Sequence, residues 1–272
     1  VSGTAVVTIV HGRHHHLARQ RASLALGDVL PDLSVVVAID DDPPVAALRG
    51  VETRVLHLPA EPQGLPLARA RNRGVAEAVR LGADVLVLLD VDLLAGPGLV
   101  AAYADVVRCD PVALWSGPVT YLPPPPAGGY DLGALGALDD PHPARPAPTP
   151  GEVLRDASPD LFWSLSFATS AQAWERVGGF CEDYVGYGGE DTDFARLAVA
   201  GGVPLGWVGS ARGFHQHHPT QDPPRQHVDD VLRNAALFHR RWGWWPMTGW
   251  LEAFEAEGLV ARQDGRWVRA GG

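Results

Sequence analysis

The feature that most limits what this chain can fold into is the run at residues 84–89 (DVLVLL), almost wholly apolar and followed at once by Asp90 and Asp92. A strand with one wet face alternates apolar and polar side chains, whereas a near-continuous apolar run suits a strand buried on both faces. Shorter β-branched runs occupy residues 5–10 (AVVTIV), 33–39 (LSVVVAI) and 53–58. Between them, residues 16–30 have helical composition, and residues 66–81 place proline at a helix start and glycine just past its end. A helix over 97–108 and a strand over 112–119 continue the alternation. Strand and helix in turn imply an α/β fold, a mixed and mostly parallel sheet of Rossmann-like type with helices on both faces.

The pattern then breaks. Residues 123–150 hold a run of prolines, more isolated prolines and paired glycines and aspartates, a composition that suits a long loop crossing the surface or covering a site. Ordered signals resume with a strand over 161–168, a helix over 170–177, an acidic-fronted helix over 190–200, a strand over 205–208 and a long helix over 225–242. No internal repeat is visible.

Composition removes several chemistries. All 22 basic residues are arginine, so Schiff-base lysines, pyridoxal phosphate attachment and the phosphate-loop lysine are excluded. A formal net charge of -10 argues against general nucleic-acid binding. Cys109 and Cys181 cannot make a disulfide framework or a four-cysteine zinc site. No apolar run approaches the roughly 20 residues that span a bilayer. The first ten residues lack a basic leader and a cleavage site and are expected to be a strand, so a soluble, cytoplasmic protein is expected. Arginine without lysine, with abundant alanine, glycine and proline, suggests a GC-rich bacterial genome.

Ligands of open parallel sheets sit beyond the carboxyl ends of the strands. Two acidic clusters fall there: Asp40, Asp41 and Asp42 after the second strand, and the D-x-D pair Asp90 and Asp92. Neighbouring carboxylates repel unless a cation neutralises them, and oxygen ligands of this kind suit Mn²⁺ or Mg²⁺ carrying a diphosphate. The same residues could also be solvated turn residues or helix caps. Farther on, GYGGEDTD (residues 186–193) joins glycines and Tyr187, a flat face that stacks on sugar rings, to Glu190 and Asp191 where a helix begins. An acid there can act as general base or simply cap the helix. FHQHHP (residues 214–219) offers His215, His217 and His218 as nitrogen ligands. His14–His16 are expected to be a solvated helix start, the alternative being that they line the donor site. Trp242, Trp244, Trp245 and Trp250, with Pro246, are expected to pack the C-terminal segment onto the core, the alternative being a site for a carbohydrate or a lipid-linked acceptor.

In this order the pieces resemble a nucleotide-sugar glycosyltransferase of the GT-A fold, family 2-like. The C-terminal part resembles the β-1,4-galactosyltransferase and polypeptide N-acetylgalactosaminyltransferase group. The resemblance runs from about Ala5 to His218 through ARARNRG, LLDVD, WSLSFATSAQAWERVGGF, GYGGEDTDF and the histidine after the last strand. The opening departs from it: His11, Gly12 and Arg13 stand where family 2 enzymes carry a Pro-Thr-Tyr-Asn type segment. The resemblance implies that Asp40 lies near the uracil or ribose, that Arg71 and Asn72 face the nucleotide, and that Arg13 also lines the donor site. Asp92 and His215 would hold Mn²⁺ or Mg²⁺, with Asp90 orienting the ribose or a metal-bound water. Asp191 would deprotonate the acceptor hydroxyl, Glu190 would contact the acceptor, and Tyr187, Gly188 and Gly189 would shape the pocket.

The Glu-Asp pair matches the inverting galactosyltransferases, where the retaining enzymes carry Glu-Asn, so inversion is implied. The donor would be a nucleotide-diphosphate sugar, UDP-linked, and the acceptor a glycan, lipid-linked or small-molecule hydroxyl. A sugar nucleotidyltransferase and a non-catalytic sugar- or nucleotide-binding module are the alternatives; the first normally carries a glycine-rich loop with lysine, absent from HGRHHH. The expected organisation is a GT-A domain over 1–222, with a nucleotide-sugar half (1–120), a Pro-rich loop (121–160) and an acceptor and metal half (161–222). A helix and Trp-rich extension follow at 223–272.

Overall fold

A computed structural model describes residues 3–271. The chain runs through β1 (Gly3–Val10), α1 (His14–Ala25), β2 (Leu33–Ile39), β3 (Glu52–Leu58), α2 (Leu67–Arg80) and β4 (Ala83–Leu89), as the alternation predicts. It continues with β5 (Leu93–Ala95), α3 (Leu99–Cys109), β6 (Leu114–Ser116), β7 (Val119–Tyr121) and, past a 3₁₀ segment at Leu132–Leu138, β8 (Val153–Leu154). Then come β9 (Ser166–Ser170), α4 (Ala171–Val177), α5 (Glu190–Ala200), β10 (Leu205–Val208), β11 (Gly213–His215), α6 (Val228–Trp242) and α7 (Thr248–Ala256). The hairpin β12 (Val260–Gln263) and β13 (Arg266–Arg269) closes the described chain.

An eight-stranded sheet has the order β3-β2-β1-β4-β9-β6-β10-β8. The first four strands are parallel, so the ends of β1, β2 and β4 open on one edge. β9 runs antiparallel to both β4 and β6, β6 and β10 are parallel, and β8 is antiparallel to β10. One face is covered by α2, α4 and α5 through Ala68, Val75, Trp174 and Phe194, with Phe180 from the loop between α4 and α5. The other is covered by α1 and α3 through Leu24, Leu99, Tyr103 and Val107. With apolar layers on both sides, β4 has no polar alternation to make.

Two expected strands change. The strand over 112–119 divides at Gly117 and Pro118 into β6 and β7, which belong to different sheets. The backbone carbonyl of Ala211 presses on Gly117 so closely that a Cβ there would collide with it. The strand over 161–168 begins only at Ser166, because Pro159–Leu161 forms a 3₁₀ turn capped by Ser158.

A second sheet, β5-β11-β7, determines the site. β11 lies antiparallel to β5 and parallel to β7, which sets His215 opposite Leu93 and Tyr121. The Pro-rich loop passes beside it: Tyr130, Leu132 and Leu135 pack on Leu94, Leu122 and Phe214. Farther along the loop, Arg145 is buried between the rings of Trp163 and Trp207, at 4.7 and 5.2 Å. Among the described residues no helix is long and apolar enough to cross a membrane.

Candidate active site

Four polar groups meet where β4 gives way to β5. Asp92, 7% exposed, faces His215 Nε2 at 3.5 Å and His218 Nε2 at 3.3 Å, and pairs with Arg13. The carbonyl of Asp92 accepts from the Gln216 backbone at 2.7 Å, so the β5–β11 pairing itself delivers both histidines. One ligand atom from each of Asp92, His215 and His218 lies within 4.8 Å of the others. Burial opposes ionisation of Asp92, but the His218 hydrogen bond and the electrostatic pull of the His215 ring and Arg13 outweigh it and hold the carboxyl at about 2. Burial pushes the His215 imidazole below its usual range, toward the neutral form that binds metals.

These residues fit a divalent cation. Asp92 Oδ1 is buried without a hydrogen-bond partner, the state of an oxygen waiting for a cation. One carboxylate with two imidazoles suits Mn²⁺ better than Mg²⁺, which prefers oxygen ligands. His218, three residues after His215 in the HQHH tract, is the ligand that sequence reasoning did not select. His217, between them, is exposed.

A second cluster adjoins the first. Arg71, 5% exposed, donates to Asp90 Oδ1 and to Glu190 Oε1, each at 3.2 Å, with its guanidinium 5.1 Å over the Phe180 ring. It therefore ties the end of β4 to the start of α5. Burial works against its charge, and Asp90, Glu190 and Asp191 more than hold it. Burial raises Asp191 to about 7, helped by the adjacent Glu190. Burial likewise raises Asp90 to about 6 against the pull of Arg71. The Thr192 backbone donates to Asp191 Oδ1 at 2.7 Å.

The loop before α5 is braced from the C-terminal side. A Cβ on Gly188, at φ 93°, would sit 2.7 Å from the Met247 sulfur, and one on Gly186 would strike the Asp230 carboxylate. Asn234 donates to the carbonyls of Val185 and Tyr187 at 3.1 and 3.2 Å. The wholly buried Asp193 accepts from Arg241 Nε at 2.6 Å and Trp242 Nε1 at 2.7 Å. Side chains from α6 and beyond thus cross the expected 222/223 boundary to hold the glycine-rich loop and the start of α5. Tyr187 is exposed and stacks on His227 and Trp250, with centroids 4.6 and 5.6 Å apart.

Several predicted residues stand elsewhere. Asn72 is spent on structure: its amide bonds both the N–H and the carbonyl of Phe180 at 2.9 Å and turns toward Glu182. Arg71 and Asn72 are consecutive on a helix, about 100° apart, and cannot face one ligand together. Asp40 is exposed at φ 41°, and it is Asp41 that accepts from Gly12 N at 2.8 Å and meets His14 Nε2 at 2.7 Å. The histidine tract does begin α1, but it is not simply solvated: His16 Nε2 is buried and its ring lies 6.1 Å from that of His218. Gln20 went unnoticed in the sequence; it holds the Asp90 carbonyl at 2.6 Å and accepts from Thr8.

Comparisons with known proteins agree with this geometry. A family model described as the N-terminal domain of galactosyltransferase matches residues 158–218. A validoxylamine A glucosyltransferase of Streptomyces hygroscopicus subsp. limoneus is 28% identical over 260 residues, 87% of this chain and 56% of the relative. Its counterpart from subsp. jinggangensis is 28% identical over 247 residues, 83% of this chain and again 56% of the relative. The chain thus spans little more than half the length of these relatives. Among solved structures, GalNAc-T7 with UDP, GalNAc and Mn²⁺ superposes with TM-score 0.56 at 17% identity, covering 80% of this chain and 44% of that one. Residues 1–349 of S. aureus TarS in complex with UDP superpose with TM-score 0.57 at 12% identity, covering 94% and 78%. The fold is that of the GT-A glycosyltransferases, and within it residues 158–218 are similar to the N-terminal domain of galactosyltransferase.

Proposed function

We propose that this chain transfers a hexose or N-acetylhexosamine from a nucleotide-diphosphate sugar, UDP-linked, to an acceptor hydroxyl with inversion at the anomeric carbon. The observation that carries this is the Arg71 bridge, which sets Asp191 beside the strand-end carboxylates in a buried, acid-rich pocket. An acceptor hydroxyl is far too weak an acid to attack unaided near neutral pH, and a carboxylate raised to about 7 is well matched to take its proton. Glu190 is fixed by Arg71 and faces the acceptor side, while Asp90 faces the donor. Asp92, His215 and His218 are the residues that would hold Mn²⁺ or Mg²⁺, with Arg13 at the same carboxylate. A cation there supplies Lewis-acid neutralisation of the diphosphate as it leaves. Tyr121, stacked on His215 at 4.5 Å, keeps the imidazole plane fixed.

UDP and Mn²⁺ in the superposed structures support the donor class. Calorimetry with UDP, with and without Mn²⁺, on the native chain and Asp92→Ala tests the donor site; UDP binding that ignores both the metal and the substitution overturns it. Proton NMR of the glycoside product tests inversion; an anomeric configuration kept from the donor overturns it.

A further inference from the structure

A cavity of about 400 Å³ opens along the outer side of α5, lined by Asp160, Thr192, Arg196, Trp244, Pro246 and Met247. Its volume falls within the roughly 300–1,000 Å³ typical of small-molecule sites. One wall is a turn away from the proposed chemistry, since Thr192 donates to Asp191 from both its backbone N–H and its hydroxyl, at 2.7 and 3.4 Å. Another wall is Met247, whose sulfur abuts Gly188 of the glycine-rich loop. Met247 itself holds a left-handed backbone, φ 53°, a strained conformation for a non-glycine residue kept where the C-terminal segment meets that loop.

The lining has a recognisable chemistry. The Trp244 indole is 37% exposed and is steadied by the edge of Phe238, centroids 4.7 Å apart. The Arg196 guanidinium lies 4.5 Å over that indole and pairs with Asp160 across the opening. Because Asp160 and Arg196 cancel, the cavity does not select a charged ligand, and a lipid chain or apolar peptide would strip water from the ion pair without replacing it. An apolar ring beside planar hydrogen-bonding groups complements a pyranose, which has an apolar face and a rim of hydroxyls.

We propose that this cavity is an acceptor subsite for a second sugar ring, next to the ring whose hydroxyl is activated, so that the acceptor is an oligosaccharide or a glycoside of at least two rings. The proposal rests on Asp191 being the base that faces the acceptor. Its test uses the full chain carrying Asp191→Asn, probed with arrayed saccharides of one to four rings, with and without UDP and Mn²⁺. The tightest ligand is expected to have two or more rings. Its affinity should fall at least about tenfold in Trp244→Ala and measurably in Arg196→Gln, with UDP affinity and melting temperature unchanged. If loss of the indole disturbs the C-terminal segment, Arg196→Gln carries the test. Single rings bound as tightly as longer chains, affinity indifferent to both substitutions, or no saccharide bound overturns the subsite. Failure of UDP to bind overturns the donor site instead, and the saccharide measurements made without UDP still decide the subsite.

Discussion

Asp90 and Asp92 leave the same strand two positions apart, yet the structure drives their carboxyls in opposite directions, to about 6 and about 2. Asp92 is buried and Asp90 partly so, and desolvation alone would raise both. What separates them is company. Asp92 belongs to a region that supplies it with partners, the Arg13 guanidinium and the His215 and His218 imidazoles. Asp90 belongs to an acid-rich region in which it shares the single Arg71 guanidinium with Glu190, close to Asp191. The contrast fits the proposed division of labour: the region around Asp92 stays ionised, as a cation and diphosphate site requires, while the other is short of positive charge and so can accept a proton near neutral pH.

The largest effect that would break this division comes from Asp191→Asn. Turnover should drop about 10²–10⁴-fold while UDP affinity stays the same, measured by steady-state kinetics and calorimetry. In the native enzyme the rate should climb as pH rises through about 7, where Asp191 loses its proton. An equal loss of UDP affinity would move Asp191 into the donor region.

Next in size, Arg71→Met leaves the acid-rich region without its counter-ion. Denaturant unfolding at pH 8 should report a loss of about 3–5 kcal/mol. At pH 5 the loss should shrink, because Asp90 and Asp191 are then protonated. A loss that does not change with pH would mean that Arg71 acts by packing on Phe180 alone.

His218→Ala sharpens the Asp92 side. Mn²⁺-dependent UDP binding should weaken about 10–100-fold, whereas His217→Ala, at the exposed position between the two histidines, should not move it. Equal effects of the two substitutions would remove His218 from the ligand set.

The smallest effect is on stability. A carboxyl raised from its ordinary range to about 7 contributes stability that is full below pH 4 and lost as pH climbs through 7. Asp191→Asn does not titrate, so it should be more stable than the native chain at pH 8 by on the order of 1–2 kcal/mol and equal to it near pH 4. Matching melting curves at both pH values would contradict a carboxyl raised to about 7.

The first half of the fold is legible in the sequence because each buried strand writes its own apolar run, and each helix on the sheet its own period. α2 and β4 lie within a residue or two of the pattern that announced them. Strand direction is not written that way: nothing in SFATS says that it enters between β4 and β6 antiparallel to both. β5, β7 and β11 are three residues each, too short for any period to register, and they are the strands that deliver His215 and His218 to Asp92. Asn72 could have been separated from Arg71 by helical geometry alone, because neighbours on a helix point different ways. Trp242 and Trp250 pack as their composition suggests, on Asp193 and Tyr187, but only the folded chain leaves Trp244 facing a cavity.

By itself, then, the order of residues determined which segments are buried and where the carboxylates leave the sheet. Those are local properties, set by the side chains within a few positions of one another. Which acid keeps its proton, which histidines share one carboxylate, and which helix braces the glycine-rich loop were decided by tertiary structure. Charge interactions and coordination depend on distances of a few ångströms between groups as far apart in the chain as Asp92 and His215, and only the folded backbone sets those distances.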